Sequence, residues 1–132
     1  QLRVGAHSDY GSLTILKTED RPGGLQVHAK SGEWLDVPIV PGTFIINIGD
    51  LMARWTNDRW RSTLHRVVNP PADLASASRR QSLVFFHNPN YDAPIECLPT
   101  CREPGTAPKY PTITSGQQFT RTQRALAGAY DG

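Results

Sequence analysis

Turn-forming residues interrupt this chain too often for long helices or βαβ units to form over most of its length. Arg21-Pro22-Gly23-Gly24, Lys30-Ser31-Gly32-Glu33, Pro41-Gly42, Gly49-Asp50, Asn57-Asp58 and Asn69-Pro70-Pro71 each stop a short segment rich in Val, Ile, Thr and aromatic residues. Glycine tolerates positive φ and proline lacks a backbone donor, so both end strands. Short β-type segments between such signals predict an all-β sandwich or barrel. Strands are expected over about 2–16, 25–29, 34–38, 43–48, 51–55, 63–68 and 81–87, with a weaker one at 95–98. The 43–48 stretch is nearly all apolar and reads as a buried strand.

The pattern changes after Leu98. Residues 99–111 are proline-rich and aperiodic, which suits a surface loop. Thr114 or Ser115 is placed to cap a helix whose Phe119, Leu126 and Tyr130 share one face, ending near Gly128. The expected organisation is therefore a β core over 1–98 and a loop with a helix over 99–132. The chain opens at Gln1 in the middle of a strand-like pattern. It is expected to be part of a longer chain, with the core incomplete at its N-terminus.

At 132 residues the chain is one domain at most. Its 14 basic and 12 acidic residues leave no electrostatic footprint for nucleic acid or an anionic membrane. No apolar run approaches the ~20 residues of a membrane span, and no export signal opens the chain, so a soluble, cytoplasmic protein is expected. Cys97 and Cys101 are too few for a disulfide scaffold or a four-cysteine zinc site and read as free thiols. Trp34, Trp55 and Trp60 read as packing or rim residues, and Arg121 and Arg124 as a solvated helix face.

Chemistry enters with His7-Ser8-Asp9. Residues i and i+2 of a strand project to one face, so His7 and Asp9 should point together with Ser8 turned away. An imidazole and a carboxylate on one face supply two ligands of a 2-His-1-carboxylate facial triad, which leaves open positions and suits non-haem Fe(II). A distant strand must bring the third. His28 precedes a hairpin turn, and His87 has the opposite parity from Arg80 and Ser82. His65, in an apolar neighbourhood, is the best candidate. A His-x-Asp pair by itself also arises by chance, and a lone histidine is commonly structural.

A second pair adds weight. Arg80 and Ser82 are again i and i+2, and a guanidinium fork with a hydroxyl beside it suits a carboxylate. Val84 and Phe86 extend the same face as an apolar wall. A structural Asp or Glu is the other partner such an arginine could take.

These motifs in this order resemble the C-terminal half of the isopenicillin N synthase-like family of Fe(II)/2-oxoglutarate-dependent oxygenases. The resemblance runs through His7-Ser8-Asp9-Tyr10-Gly11-Ser12-Leu13-Thr14, Gly23-Gly24-Leu25-Gln26-Val27 and Gly32-Glu33-Trp34. It continues through Asn47-Ile48-Gly49-Asp50, Thr63-Leu64-His65-Arg66-Val67, Arg80-Gln81-Ser82, Lys109-Tyr110-Pro111 and Thr114-Ser115-Gly116. It implies a double-stranded β-helix, or jelly roll, with a C-terminal helix, and a missing N-terminal helical part. It implies that His7, Asp9 and His65 hold Fe(II), that Arg80 and Ser82 hold the C5 carboxylate of 2-oxoglutarate, and that Phe86 lines the substrate pocket. Asn47 and Asp50 match a turn between core strands, read as structural. The family's Asn-x-Tyr segment, which helps bind 2-oxoglutarate, would lie before Gln1.

The implied activity is oxidation of a small organic substrate by O₂, by hydroxylation, desaturation or ring closure, with release of succinate and CO₂. Some relatives place a substrate carboxylate against the same Arg-x-Ser pair and use no 2-oxoglutarate. A non-catalytic jelly-roll binding module is the alternative of a different class. A structural zinc site wants four protein ligands, and three are offered here.

Overall fold

A computed structural model describes residues 2–21, 23–69, 73 and 79–130, with only the backbone of 125–130. Most of the loop expected at 71–78 lies outside the described residues. Seven strands form two antiparallel sheets: β1 (Leu2–His7), β2 (Leu13–Thr18), β3 (Leu25–His28), β4 (Trp34–Asp36), β5 (Ile45–Ile48), β6 (His65–Val68) and β7 (Ser82–His87). One sheet has the order β1-β6-β3-β4 and the other β5-β2-β7. Apart from the β3–β4 hairpin, consecutive strands alternate between the two sheets, which is the winding of a jelly roll.

The registers place the site. In the first sheet, β1 and β6 run antiparallel with His7 opposite His65. In the second, Thr14 of β2 lies opposite Asn47 of β5 on one side and Phe86 of β7 on the other. Residues paired across a sheet share a face, so Asn47, Thr14 and Phe86 form one row.

The β3–β4 hairpin is closed as expected over Ala29–Glu33, with the Ala29 amide donating to the Glu33 carbonyl at 2.8 Å. Gly32 has φ +91°, a conformation open to glycine and costly for most other residues.

Several expectations are corrected. The 2–16 segment is two strands of different sheets, broken by residues 8–12. Asp9 lies just beyond β1, and His65 opens β6 where a mid-strand place was expected. Arg80 lies two residues before β7. β5 is not buried throughout, since Phe44 just before it and Ile46 within it are exposed. β7 is exposed along its whole length, and β5 and β7 are the edges of their sheet.

The 51–55 stretch is not a strand but helix α1 (Asp50–Trp55). Leu, Met, Ala and Arg are good helix formers, and Asp50 sits in the first turn where a negative charge favours the helix dipole. Leu51 and Trp55, four apart, meet the same apolar cluster. Asn57 and Asp58, at φ 54° and 64°, then end the run in the left-handed region.

That cluster of buried Leu51, Ile95 and Ile113 joins α1 to a small sheet of β8 (Pro94–Ile95) and β9 (Ile113–Thr114). β9 was not expected, and β8 is shorter than 95–98. Helix α2 (Ser115–Tyr130) follows directly. Its start is a reciprocal capping box: the Gln117 amide donates to Thr114 Oγ1 at 3.1 Å, and the Thr114 amide to Gln117 Oε1 at 2.9 Å. Of the expected helix face, Leu126 and Tyr130 lie outside the described side chains. The intervening loop is tied to α1's end, with Asp58 accepting from Lys109 Nζ and Tyr110 Oη at 3.0 Å or less. The hydrogen bond to Asp58 is the largest cause of a Tyr110 hydroxyl held above its ordinary pKa.

Candidate metal centre

Three of the buried polar residues, Asp9, Ser12 and Thr14, lie along the passage from β1 into β2. Asp9 is 8% exposed, Thr14 5%, and Ser12 fully covered. Burial of a carboxylate is costly unless donors or a cation face it, and here Thr14 and Asn47 supply donors.

His7 and His65 come from neighbouring strands, with ring centroids 4.3 Å apart. Each ring has its Nδ1 against a backbone carbonyl, His7 to Gly5 at 2.8 Å and His65 to Thr63 at 3.1 Å. A carbonyl only accepts, so Nδ1 carries the proton and Nε2 keeps its lone pair in the neutral ring. Both Nε2 atoms face Asp9 Oδ1, at 3.8 Å from His7 and 3.6 Å from His65. The three prospective ligand atoms lie within 4.8 Å of one another, and this is the one such cluster among the described residues.

The other carboxylate oxygen, Oδ2, accepts from Thr14 Oγ1 and from Asn47 Nδ2, the latter at 2.7 Å. Residues 9–12 are gripped from behind by the start of α1. The Gly49, Asp50 and Leu51 amides donate to the carbonyls of Ser12, Asp9 and Gly11 at 3.1, 2.8 and 3.1 Å. Gly49 is required for this approach, because a methyl group there would run into the Gly11 carbonyl. Ser8 points away, as parity predicted, and donates to Asp50 Oδ2 at 3.3 Å.

The donor set therefore fits a divalent metal. Two neutral imidazoles and one carboxylate converge with their lone pairs inward, each held by outer partners of the kind that orient metal ligands. Neither remaining histidine joins them: His28 packs on Trp34, and His87 Nδ1 meets Ser12 Oγ at 2.8 Å.

Arg80 and Ser82 converge on a residue the sequence reading missed. Arg80 Nε donates to Thr18 Oγ1 at 2.9 Å, and Ser82 Oγ does so at 3.2 Å. This fixes the guanidinium through Nε, and among the described residues its two Nη groups take no hydrogen-bond acceptor. The loop at Gly23 packs against that end, where an added methyl would lie 3.0 Å from Nη2. Arg79 is exposed.

Phe86 lines a cavity together with His7, Ser8, Asp9, Tyr10, Asn88 and Phe119. Phe119 of α2 was expected only as part of a helix face, and its place beside His7 and Asp9 has no local sequence signal. Asn47 did leave one, though not one that named its partner: a lone amide within Ile45-Ile46-Asn47-Ile48 must find a partner wherever its strand turns inward.

The sequence matches the 2OG-Fe(II) oxygenase superfamily over residues 1–89. It is 47% identical over 112 residues to the 2-oxoglutarate-Fe(II) type oxidoreductase hxnY of Emericella nidulans, covering 84% of this chain and 30% of the relative. It is 41% identical over 118 residues to a homoarginine-6-hydroxylase of Oryza sativa subsp. japonica, covering 89% of this chain and 34% of the relative. The chain thus spans about a third of the length of these relatives. The fold superposes on full-length Neurospora crassa T7H in complex with alpha-KG and 5-formyluracil with a TM-score of 0.85 and 41% identity, covering 95% of this chain and 40% of the other. The two sheets are those of the oxygenase jelly roll, and the chain belongs to the 2OG-Fe(II) oxygenase superfamily.

Proposed function

We propose that this chain carries the iron and co-substrate site of a non-haem Fe(II)- and 2-oxoglutarate-dependent oxygenase acting on a small organic substrate. The observation that carries this reading is the convergence of His7 Nε2, His65 Nε2 and Asp9 Oδ1, with the far side of each group already hydrogen-bonded. In this reading His7, Asp9 and His65 hold Fe(II), and Arg80 with Ser82 grips the C5 carboxylate of 2-oxoglutarate. The bound iron would supply O₂ activation coupled to decarboxylation of 2-oxoglutarate and oxidation of a substrate C–H bond.

The chain's own residues then do three things. His7 and His65 present Nε2 to the metal, because the Gly5 and Thr63 carbonyls engage the opposite nitrogen. Arg80 orients the co-substrate by a two-pronged charge-assisted contact, steadied through Thr18. Thr14 and Thr18 share a face of β2, and the strand rise separates them by roughly 13 Å. A five-carbon diacid and the reach of an arginine side chain together suit that span. Phe86 and Phe119 supply an apolar wall beside His7 and Asp9, where a substrate would lie. Residues 1–98 would thus supply the core, and 99–132 close one side of the pocket through Phe119. Relatives named for homoarginine and a structure holding 5-formyluracil differ in what they bind, which supports seeking substrate choice in pocket residues rather than in the metal ligands.

Arg80 and Ser82 specify a carboxylate but not whose it is. Incubating the full protein with Fe(II), O₂, 2-oxoglutarate and candidate substrates should release succinate in proportion to substrate oxidised. Substrate oxidation that proceeds at full rate without 2-oxoglutarate would place a substrate carboxylate in the clamp instead.

A further inference from the structure

Asp9 is held asymmetrically. Its Oδ1 faces the two imidazoles, while Oδ2 accepts from two donors, Thr14 Oγ1 and Asn47 Nδ2. A carboxylate oxygen has two lone-pair directions, and both are taken at Oδ2. An ionised carboxylate only accepts, so the hydroxyl and the amide NH₂ must be the donors. The arrangement does not rest on chance contacts. Thr14 and Asn47 are direct cross-strand partners on β2 and β5, and the backbone of 9–12 is fixed independently by the Gly49, Asp50 and Leu51 amides.

Carboxylates bind cations through one oxygen or through both. A free Asp9 side chain could rotate Oδ2 toward the metal and occupy a fourth position. In an octahedral site that would leave two positions open, and a two-toothed co-substrate together with O₂ needs three.

We propose that Thr14 and Asn47 are positioning residues that keep Asp9 a one-oxygen ligand, reserving three open coordination positions. The inference rests on the reading of His7, Asp9 and His65 as the metal site. It assigns the Asn47 amide a task in the site, where the family resemblance implied only a structural turn.

Counting metal-bound water tests it without turnover. The full protein is loaded with Mn(II), and water-proton relaxation is measured per bound ion, without 2-oxoglutarate. The wild type should hold three waters. Asn47→Leu and Thr14→Val should hold two, lowering relaxivity to about two-thirds, and their affinity for 2-oxoglutarate should fall ~10-fold because the ligand must now displace Oδ2. Thr14→Ser, which restores the hydroxyl, should return the count to three. Thr14→Val changes one hydroxyl to a methyl and carries the same readout should Asn47→Leu fail to fold.

Variants that bind Mn(II) and keep three waters overturn the proposal. So do folded variants that lose Mn(II) altogether, since the pair would then serve affinity and not denticity. Mn(II) binding that survives Asp9→Ala instead overturns the metal reading itself, and the inference with it.

Discussion

Replacing Asp9 with alanine should abolish turnover and weaken divalent-metal binding by at least ~100-fold, the upper end of what losing a mere outer-sphere partner costs. The reason is geometric as much as electrostatic. Oδ1 is the single carboxylate oxygen among the three prospective ligand atoms, and it is the one that both Nε2 atoms face. Its loss would leave two imidazoles and no charge to offset the cation. The same substitution strips the acceptor from Thr14 and Asn47, so it should also change stability. Orphaning the buried Thr14 hydroxyl costs about 1–3 kcal/mol, and the half-buried Asn47 amide less, against relief of one buried charge. Isothermal titration with Mn(II) reads the first effect, and urea unfolding of the metal-free protein reads the second. Normal activity in Asp9→Ala would remove the residue from the site.

Arg80→Lys should raise the KM for 2-oxoglutarate ~10- to 100-fold, equivalent to about 1.5–3 kcal/mol for a lost charge-assisted hydrogen bond. Arginine here can donate through Nε to Thr18 and still offer both Nη groups to a carboxylate. A lysine ammonium is a compact charge, and it cannot hold Thr18 and fork around a diacid at once. The clamp stands roughly 13 Å along β2 from the level of Thr14, so Mn(II) affinity should stay unchanged. That split between the two ligands is the informative result. An unchanged KM would mean that Arg80 serves Thr18 and the neighbouring loop alone.

The proposed metal ligands were legible because that chemistry needs rare residue types at a fixed spacing. Parity paired His7 with Asp9, and their side chains do meet although Asp9 lies beyond β1. His65 was legible by elimination, and the β1–β6 register then put it directly opposite His7. Thr14, Asn47 and Thr18 were not legible as partners of those groups. Their roles come from pairings between strands distant in sequence, and a one-residue slip in any register would have turned them outward. The 51–55 helix was misread for a related reason. Five residues are too few to show a period, and the apolar Leu51 and Trp55 suit either structure. Phe119 is the extreme case. Nothing near it in sequence says that α2 lies beside His7 and Asp9, because β9 and the capping box at Thr114 set the helix's place.

The central claim is that one metal and one 2-oxoglutarate share this site, and their linkage tests it most directly. Equilibrium binding of 2-oxoglutarate to the full protein should be measured anaerobically, with and without Mn(II). The account predicts one molecule per chain, bound tightly only when Mn(II) is present, and lost in His65→Ala under the same conditions. Binding of equal affinity with and without Mn(II), or binding that persists unchanged in His65→Ala, would contradict it.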